Sequence, residues 1–387
     1  MTSNASNSPV PSALQLRTAA STTDVRTRQL ATLRVGPDSI GWAVLGTGAR
    51  AVQVVNDALR QQPAVAPGVA GTWVVGVYSH NELRAQHFAQ ETYLPHSFAN
   101  LADLLQRHEV QCVYIASHPR HHFPLTMAAL AAGKHVLCEM PLALTLEDAE
   151  TMQQAAENRG LLLGVCHQGR ADPAIRQVKM LLADRAIGDL LGGRITNTTP
   201  LSLHQQSWRL QSPAGGVLLT RLPHAIDLLR YLLQDEIDTI YATGTQQLLS
   251  EHHPRAVDED ILSLVTLRRS KLTIQLHDSF LIPHLPTVLE LYGSHGTLQV
   301  QHWADPTLES RLWLLRNQRT ESLAVNPQSA DRQLIFAFTQ AVRLHAQSAA
   351  NAQDALLANA EAGLKSLASA LAARQALWSG HAVQLKQ

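Results

Sequence analysis

From Ile40 onward, apolar and polar positions alternate in blocks of two different periods. Ile40 to Leu45 is an apolar run of strand length, and Val52, Val55, Ala58 and Leu59 recur at helical spacing behind it. The same alternation predicts strands over 73–78, 110–116, 135–138 and 161–166, and helices over 51–61, 82–91, 99–107, 122–132 and 145–159. Strands such as Val110-Gln-Cys-Val-Tyr-Ile-Ala116 are apolar throughout, as a sheet with helices on both faces requires. Gly133 and Gly160 stand where helices stop, and Thr145-x-x-Asp148 forms a capping pair at the start of one. These blocks predict an α/β chain whose residues 38–166 form a doubly wound, Rossmann-type parallel sheet.

Beyond Asp172 the pattern changes. Helices over 173–184 and 224–233 precede predicted strands at 238–247, 260–268, 271–281, 287–292, 297–302 and 311–316. Arg268-Arg-Ser-Lys271 and Gly293-Ser-His-Gly296 read as hairpin turns within that run. Two long helices, 331–348 and 354–377, and a short strand, 382–386, close the chain. Residues 167–387 thus read as an α+β domain with an open, mostly antiparallel sheet, which leaves a substrate cleft against the parallel sheet. Residues 1–37 are rich in Ser, Thr, Ala, Asn and Gln without a core-forming period and read as a mobile tail. Arg17, Arg26, Arg28 and Arg34 with the single acid Asp24 also match the composition of an organellar transit peptide.

Composition narrows the function classes. The 31 Lys+Arg balance 31 Asp+Glu and no basic stripe is interleaved with aromatics, so a small molecule is expected as partner rather than nucleic acid. No apolar run reaches membrane-spanning length. Cys112, Cys138 and Cys166 are odd in number and sit in apolar strands, which predicts reduced thiols and a cytoplasmic protein. His118, His121 and His122 lack a carboxylate or cysteine at ligand spacing, so no metal site is expected.

The chemistry begins at Gly41-Trp-Ala-Val-Leu-Gly-Thr-Gly-Ala-Arg-Ala51, where the first strand runs into a G-x-G-x-x-A turn. Gly46 permits the tight turn, Gly48 leaves room for a pyrophosphate, and Ala51 lets the helix pack close with its amides facing the anion. Gly46, Thr47, Gly48, Ala49, Arg50 and Ala51 are therefore candidate cofactor contacts.

Four stretches taken together resemble the glucose-fructose oxidoreductase, inositol dehydrogenase and MocA (Gfo/Idh/MocA) family. They are this glycine turn, Ala132-Gly-Lys-His-Val-Leu-Cys-Glu-Met-Pro-Leu-Ala143, His167-Gln-x-Arg170-x-x-Pro173, and Gly215-Gly216-x-x-x-Thr220-x-x-x-His224-x-x-Asp227. The resemblance runs from residue 39 to the C-terminus. It implies an NAD(P)-dependent oxidoreductase moving a hydride to or from a sugar-like, polyol or cyclic diol substrate, and a homodimer or homotetramer. It also implies that Glu139, Pro141, Ser117, His118, His122, His167 and Gln168 surround the cofactor, with Pro141 in a cis bond. Arg170, Trp208 and Arg209 fall where the family meets its substrate.

Two positions depart from that pattern. The catalytic lysine of the family's Glu-Lys-Pro motif is Met140, a thioether with no acid or base function. The aspartate one turn before the histidine is Thr220, so His224 is left as the candidate acid or base, Thr220 can position it, and Arg221 can supply the missing positive charge. Asp227 anchors the helix or orients His224. With both reacting positions altered, a cofactor-retaining glycoside hydrolase or lyase and a non-catalytic dinucleotide sensor stand as alternatives. At the end of the second strand, Ser79-His80-Asn81 offers no acid to a ribose, and with Arg50 nearby this favours NADP over NAD.

Overall fold

The computed structural model describes residues 39–59, 71–202, 205–246, 257–283, 285, 287–303, 308–348, 352 and 357–385. The expected tail and the start of the helix expected at 354 lie outside them.

Strands β1 (Ile40–Leu45), β2 (Thr72–Tyr78), β3 (Ser97–Phe98), β4 (Cys112–Ile115), β5 (His135–Cys138) and β6 (Leu163–Val165) form a parallel sheet in the order 3-2-1-4-5-6. The order reverses between β1 and β4, which opens a crevice at the carboxyl ends of those strands. Helix α1 (Ala49–Val54) runs on into a π turn, Val55–Leu59. It is followed by α2 (Glu82–Glu91), α3 (Leu101–Leu105), α4 (His122–Ala131) and α5 (Leu146–Asn158). The capping pair read at Thr145 is present: its hydroxyl accepts from the Asp148 amide.

The second sheet has nine strands in the order 14-13-12-11-7-10-9-8-15. They are β7 (Leu190–Thr198), β8 (Ile237–Gln246), β9 (Asp258–Leu267), β10 (Thr273–Ser279), β11 (Val288–Gly293), β12 (Gly296–Gln301), β13 (Arg311–Arg316), β14 (Arg319–Leu323) and β15 (Val383–Gln384). Only β7 and β10 pair in parallel. Both hairpin turns read in the sequence join antiparallel partners, β9 to β10 and β11 to β12. Helices α6 (Pro173–Ala183), α7 (Val217–Thr220) and α8 (Leu222–Leu233) pack on its inner face through Ile175, Leu218, Ile226 and Leu229.

Three strands were not anticipated, the first being the two-residue β3. β7 carries Gly192 and Gly193 at its centre, residues that weaken strand propensity, and Gly193 lies where a Cβ would press on the Glu290 carbonyl. β14, Arg-Thr-Glu-Ser-Leu, is a short exposed edge with a single apolar residue, entered through Asn317 and Gln318, both at positive φ.

The last two helices return to the parallel sheet. On one face, α9 (Ala330–Ala346) sets Phe338 against Trp42, ring centroids 5.4 Å apart, within a core that includes Val44, Val54 and Ile335. On the other, α10 (Ala360–Ser379) contributes Leu367 and Ala370 to the parallel sheet's core and Ala373 and Ala376 to that of the mixed sheet. Its small residues let it lie close to both.

Candidate active site

The loops at the carboxyl ends of β1, β4 and β5 face residues of the mixed-sheet half across a cavity of about 620 Å³. Arg50, Ser117, Glu139, Met140 and Gln168 line it from one side, and Asn197, Trp208, Arg209, Thr220, Arg221 and His224 from the other.

The glycine turn has the form a phosphate needs. Gly46 adopts φ +125°, and a Cβ there would lie 2.4 Å from the Ala116 carbonyl oxygen. Gly48 is exposed, and a Cβ built on it would meet nothing within 4 Å, so open space lies against bare backbone where α1 begins. Thr47 and Ala49 flank it, and Ala51 is fully buried under the helix. These residues fit a dinucleotide pyrophosphate.

Arg50 does not point toward the end of β2. Its Nε donates to Glu139 Oε1 at 2.8 Å, and its two terminal nitrogens grip the Asp331 carboxylate, one at 2.6 Å. Tyr114 Oη also donates to Glu139 Oε1, at 2.7 Å. Burial works against charge on Glu139, but Arg50 and the Tyr114 hydroxyl outweigh it and hold the carboxyl below its ordinary value. Gln168 completes the group: with its amide oxygen toward Arg50 it accepts at 2.6 Å, and its nitrogen donates to the Cys166 carbonyl at 3.1 Å. The guanidinium is thus already matched by two carboxylates, which removes it as the charge for a ribose 2′-phosphate. At that position stand Ser79, buried with its Oγ accepting from the Asn81 amide, and exposed His80.

The Met140–Pro141 bond is cis. His122, fully buried, ties that turn to the loop after β4: its Nδ1 lies 2.7 Å from the Pro141 carbonyl oxygen and its Nε2 3.2 Å from that of Ser117. His118 caps the short turn that follows, accepting from the Arg120 amide, and its ring packs 5.0 Å from that of Trp208. Burial, with Arg120 and His121 beside it, lowers His118 to about 4. Trp208 therefore bridges the two halves of the cleft, and Arg209 stacks on its face at 4.7 Å.

Thr220 and His224 both reach the cavity, but not from one continuous helix. Arg221 breaks the helical path at φ −128° between α7 and α8, and Pro223 starts the second. Thr220 Oγ1 donates to the Gly216 carbonyl at 2.7 Å, leaving its lone pairs for a donor in the cavity. Arg221 is held by Asn197 Oδ1 at 3.3 Å and the Thr199 carbonyl at 3.0 Å, over the Phe280 ring. Burial lowers the His224 imidazole, with Arg50 and Arg221 acting the same way against Glu139 and Asp227. Behind it lies His167, buried, with ring centroids 5.7 Å apart and planes at 82°. His167 Nδ1 is 3.6 Å from Asp227, too far for a hydrogen bond, and Asp227 is gripped instead by Arg170 at 2.6 and 2.7 Å. Arg170 also donates to the Leu357 carbonyl at 2.6 Å, so it braces the wall and does not line the cavity.

Sequence reasoning passed over Asn197, Asp331 and Asp278. Asn197 sits on the unanticipated strand β7; Asp331 looks like an ordinary first-turn acid of α9; Asp278 is an inward position of β10 whose carboxyl burial pushes up to about 7 against the pull of Arg221. No signal local to any of them marks the cavity. Among the described residues no cluster of three or more His, Cys, Asp or Glu is placed to hold a metal ion.

A parallel sheet of order 3-2-1-4-5-6 with a glycine-turn cradle, beside a cavity that also receives the half-buried His224 of α8 from the mixed-sheet side, has the architecture of a dinucleotide-dependent oxidoreductase. Residues 40–167 match the family described as "Oxidoreductase family, NAD-binding Rossmann fold" and residues 175–299 the "GFO/IDH/MocA C-terminal domain". The chain belongs to the Gfo/Idh/MocA family. It is 29% identical over 347 residues to 1,5-anhydro-D-fructose reductase of Ensifer adhaerens, covering 89% of this chain and 98% of that one. It is 28% identical over 238 residues to trans-1,2-dihydrobenzene-1,2-diol dehydrogenase of Mus musculus, covering 60% and 68%. The fold superposes with TM-score 0.78 on an inositol dehydrogenase homologue from Azotobacter vinelandii complexed with NADH and myo-inositol, at 18% identity over 90% of this chain and 98% of that one.

Proposed function

We propose that the protein is an NAD(P)-dependent oxidoreductase for a sugar-like or polyol substrate, with His224 as its proton-transferring group. The observation that carries this is the single cavity shared by the Glu139-Met140-Pro141 turn and the Thr220–His224 segment. A nicotinamide bound along Gly46, Gly48 and Ser117 would supply the hydride acceptor or donor. In the oxidising direction a substrate hydroxyl gives its proton to a ring nitrogen of His224, which burial keeps neutral and ready to accept. Thr220 and Asn197 orient hydroxyls, Arg221 stabilises negative charge on oxygen, and Met140 offers an apolar contact where the family places its lysine. Trp208 against His118 screens the site from water.

The acid-free end of β2, Ser79-His80, supports NADP over NAD by that feature alone. Leu262 and Leu264, 54% and 46% exposed on the outer face of β9, support a homodimer or homotetramer formed across that sheet. The three buried free thiols fit a reducing compartment. Among the described residues no helix is long and apolar enough to cross a membrane.

The test is to purify the protein, titrate NADPH and NADH, and screen sugars, polyols and cyclic dihydrodiols at 340 nm. A steady absorbance change supports the proposal, and tighter NADH binding would reverse the cofactor preference. Product without net change would mark a redox-neutral hydrolase or lyase, and binding without any turnover a sensor.

A further inference from the structure

The substrate end of the cavity contains two arginines and no carboxylate paired with either. Arg209 lies over the Trp208 ring, makes no ion pair with any described residue, and burial lowers it below its ordinary value. Arg221 is bonded only to neutral oxygens of Asn197 and Thr199, and its Nε is buried without a partner. Burial lowers it to about 10, and the positive charge of Arg209 acts in the same direction, so the two guanidinium groups stand close enough to oppose one another. Asp278 is the one acid that offsets Arg221, and it makes no ion pair with it.

The acids that line the cavity are engaged elsewhere or outside. Glu139 and Asp331 hold Arg50, Asp57 is bonded to Ser329 and paired with Arg332, and Asp172 accepts from two α6 amides and Ser310. Glu309 is exposed at the rim. Buried arginines are rare unless paired, because desolvating an uncompensated guanidinium is costly. Arg209 and Arg221 are both half-buried and line the cavity together with His224, and neither has a carboxylate partner among the described residues.

We propose that this partner is part of the substrate: the ligand is a sugar or polyol carrying one anionic group, a carboxylate or a phosphate monoester, received by Arg209 and Arg221. A planar fork of N–H donors suits either anion in bidentate geometry. The dinucleotide does not compete for this place, since its phosphates belong at the Gly46–Arg50 turn across the cleft. As a statement about the substrate, this rests on the oxidoreductase reading above.

The test uses the full chain saturated with NADPH or NADH and isothermal titration with D-glucuronate, D-gluconate, D-glucose 6-phosphate, myo-inositol 1-phosphate, D-glucose and myo-inositol. At least one acid or phosphate should bind about tenfold or more tightly than its neutral counterpart, and whether acids or phosphates do so identifies the anion. Arg209→Gln and Arg221→Gln, checked for folding by thermal melting, should each remove most of that preference. If either variant does not fold, Arg209→Lys, which keeps the charge without the fork, should lower it severalfold. Equal binding of neutral and anionic ligands, no binding of any anion to protein that holds cofactor, or an unchanged preference in the folded variants would overturn the proposal. Failure to bind either nicotinamide would sink the oxidoreductase reading instead, and the same titrations on the cofactor-free protein would still decide the charge preference.

Discussion

Arg50, inside the glycine turn, holds both carboxylate oxygens of Asp331, a residue 281 positions later at the start of α9. The same guanidinium meets Glu139, so one cation joins the cofactor turn, the Glu-Met-Pro turn and the helix that covers the sheet. Removing it strands two carboxylates in a largely buried place. Breaking such an arrangement from one side costs about 3–5 kcal/mol. Arg50→Met should therefore lower the urea midpoint strongly, and Asp331→Asn, which leaves the Arg50–Glu139 pair, should cost less. Equal and small effects would mean the triad is solvated.

The two glycines of the turn should separate folding from binding. Gly46→Ala forces a Cβ to within 2.4 Å of the Ala116 carbonyl at φ +125°, so this variant should be strongly destabilised or insoluble. A methyl on Gly48 meets nothing, so Gly48→Ala should melt within a degree or two of the parent. Its methyl nonetheless occupies the space offered to a pyrophosphate, and dinucleotide affinity should fall by about tenfold or more. Fluorescence titration with NADPH and NADH alongside a melting curve reads both effects. Unaltered affinity in Gly48→Ala would mean that phosphates do not lie against this turn.

What the sequence disclosed follows from how local each signal is. Strands β1, β4 and β5 were legible because apolar runs covered on both faces have no competing interpretation. The turn at Gly46 was legible because its residues lie within a few positions of each other, whereas Thr220 and His224 were singled out by the family resemblance, and the structure brings both to the cavity. β7 was not, because its Gly193 answers to the Glu290 backbone of a strand about a hundred residues on. The fate of Arg50 was not legible for the same reason: nothing near residue 50 reveals that its charge is claimed by Asp331. Long-range charge pairing decides which conspicuous residues are free for ligands, and a pattern of spacings does not contain it.

His224 and His167 meet edge to face, both lowered by burial, and this sets a pH dependence for activity and stability. A histidine whose folded value lies below its unfolded value of about 6.5 binds fewer protons when folded. Its contribution to stability is complete above 6.5 and is lost as pH falls below it. Asp172, at about 6, and Asp278, at about 7, act in the opposite sense, their contribution being lost as pH rises through those values. Comparison of variants cancels them: His167→Leu should lose less melting temperature between pH 7.5 and 5 than the parent does. For activity, the proposed proton transfer requires neutral His224, so kcat/KM should hold at neutral pH and fall on an acid limb centred below 6.5. His224→Gln should lower turnover about a hundredfold or more and abolish that limb. A limb that persists in the variant would assign the proton to another group.

Met140 gives the most direct test of the proposed site. The side chain is half-buried, lines the cavity and lies beside Glu139 in the cis turn that His122 braces from behind. Lysine is unbranched like methionine and one atom longer, so its stem can follow the same apolar path and extend the ammonium into the cavity. Glu139 is one residue away and ionised, which favours the charged form, while Arg221 and Arg209 across the cavity favour release of a proton. A lysine so balanced is a usable general acid or base. Met140→Lys should therefore fold, keep its dinucleotide affinity, and raise kcat by about tenfold or more for a substrate that is already turned over. If kcat falls while KM is unchanged, the reacting oxygen does not lie beside residue 140. The catalytic centre would then be organised about Arg221 and His224 alone.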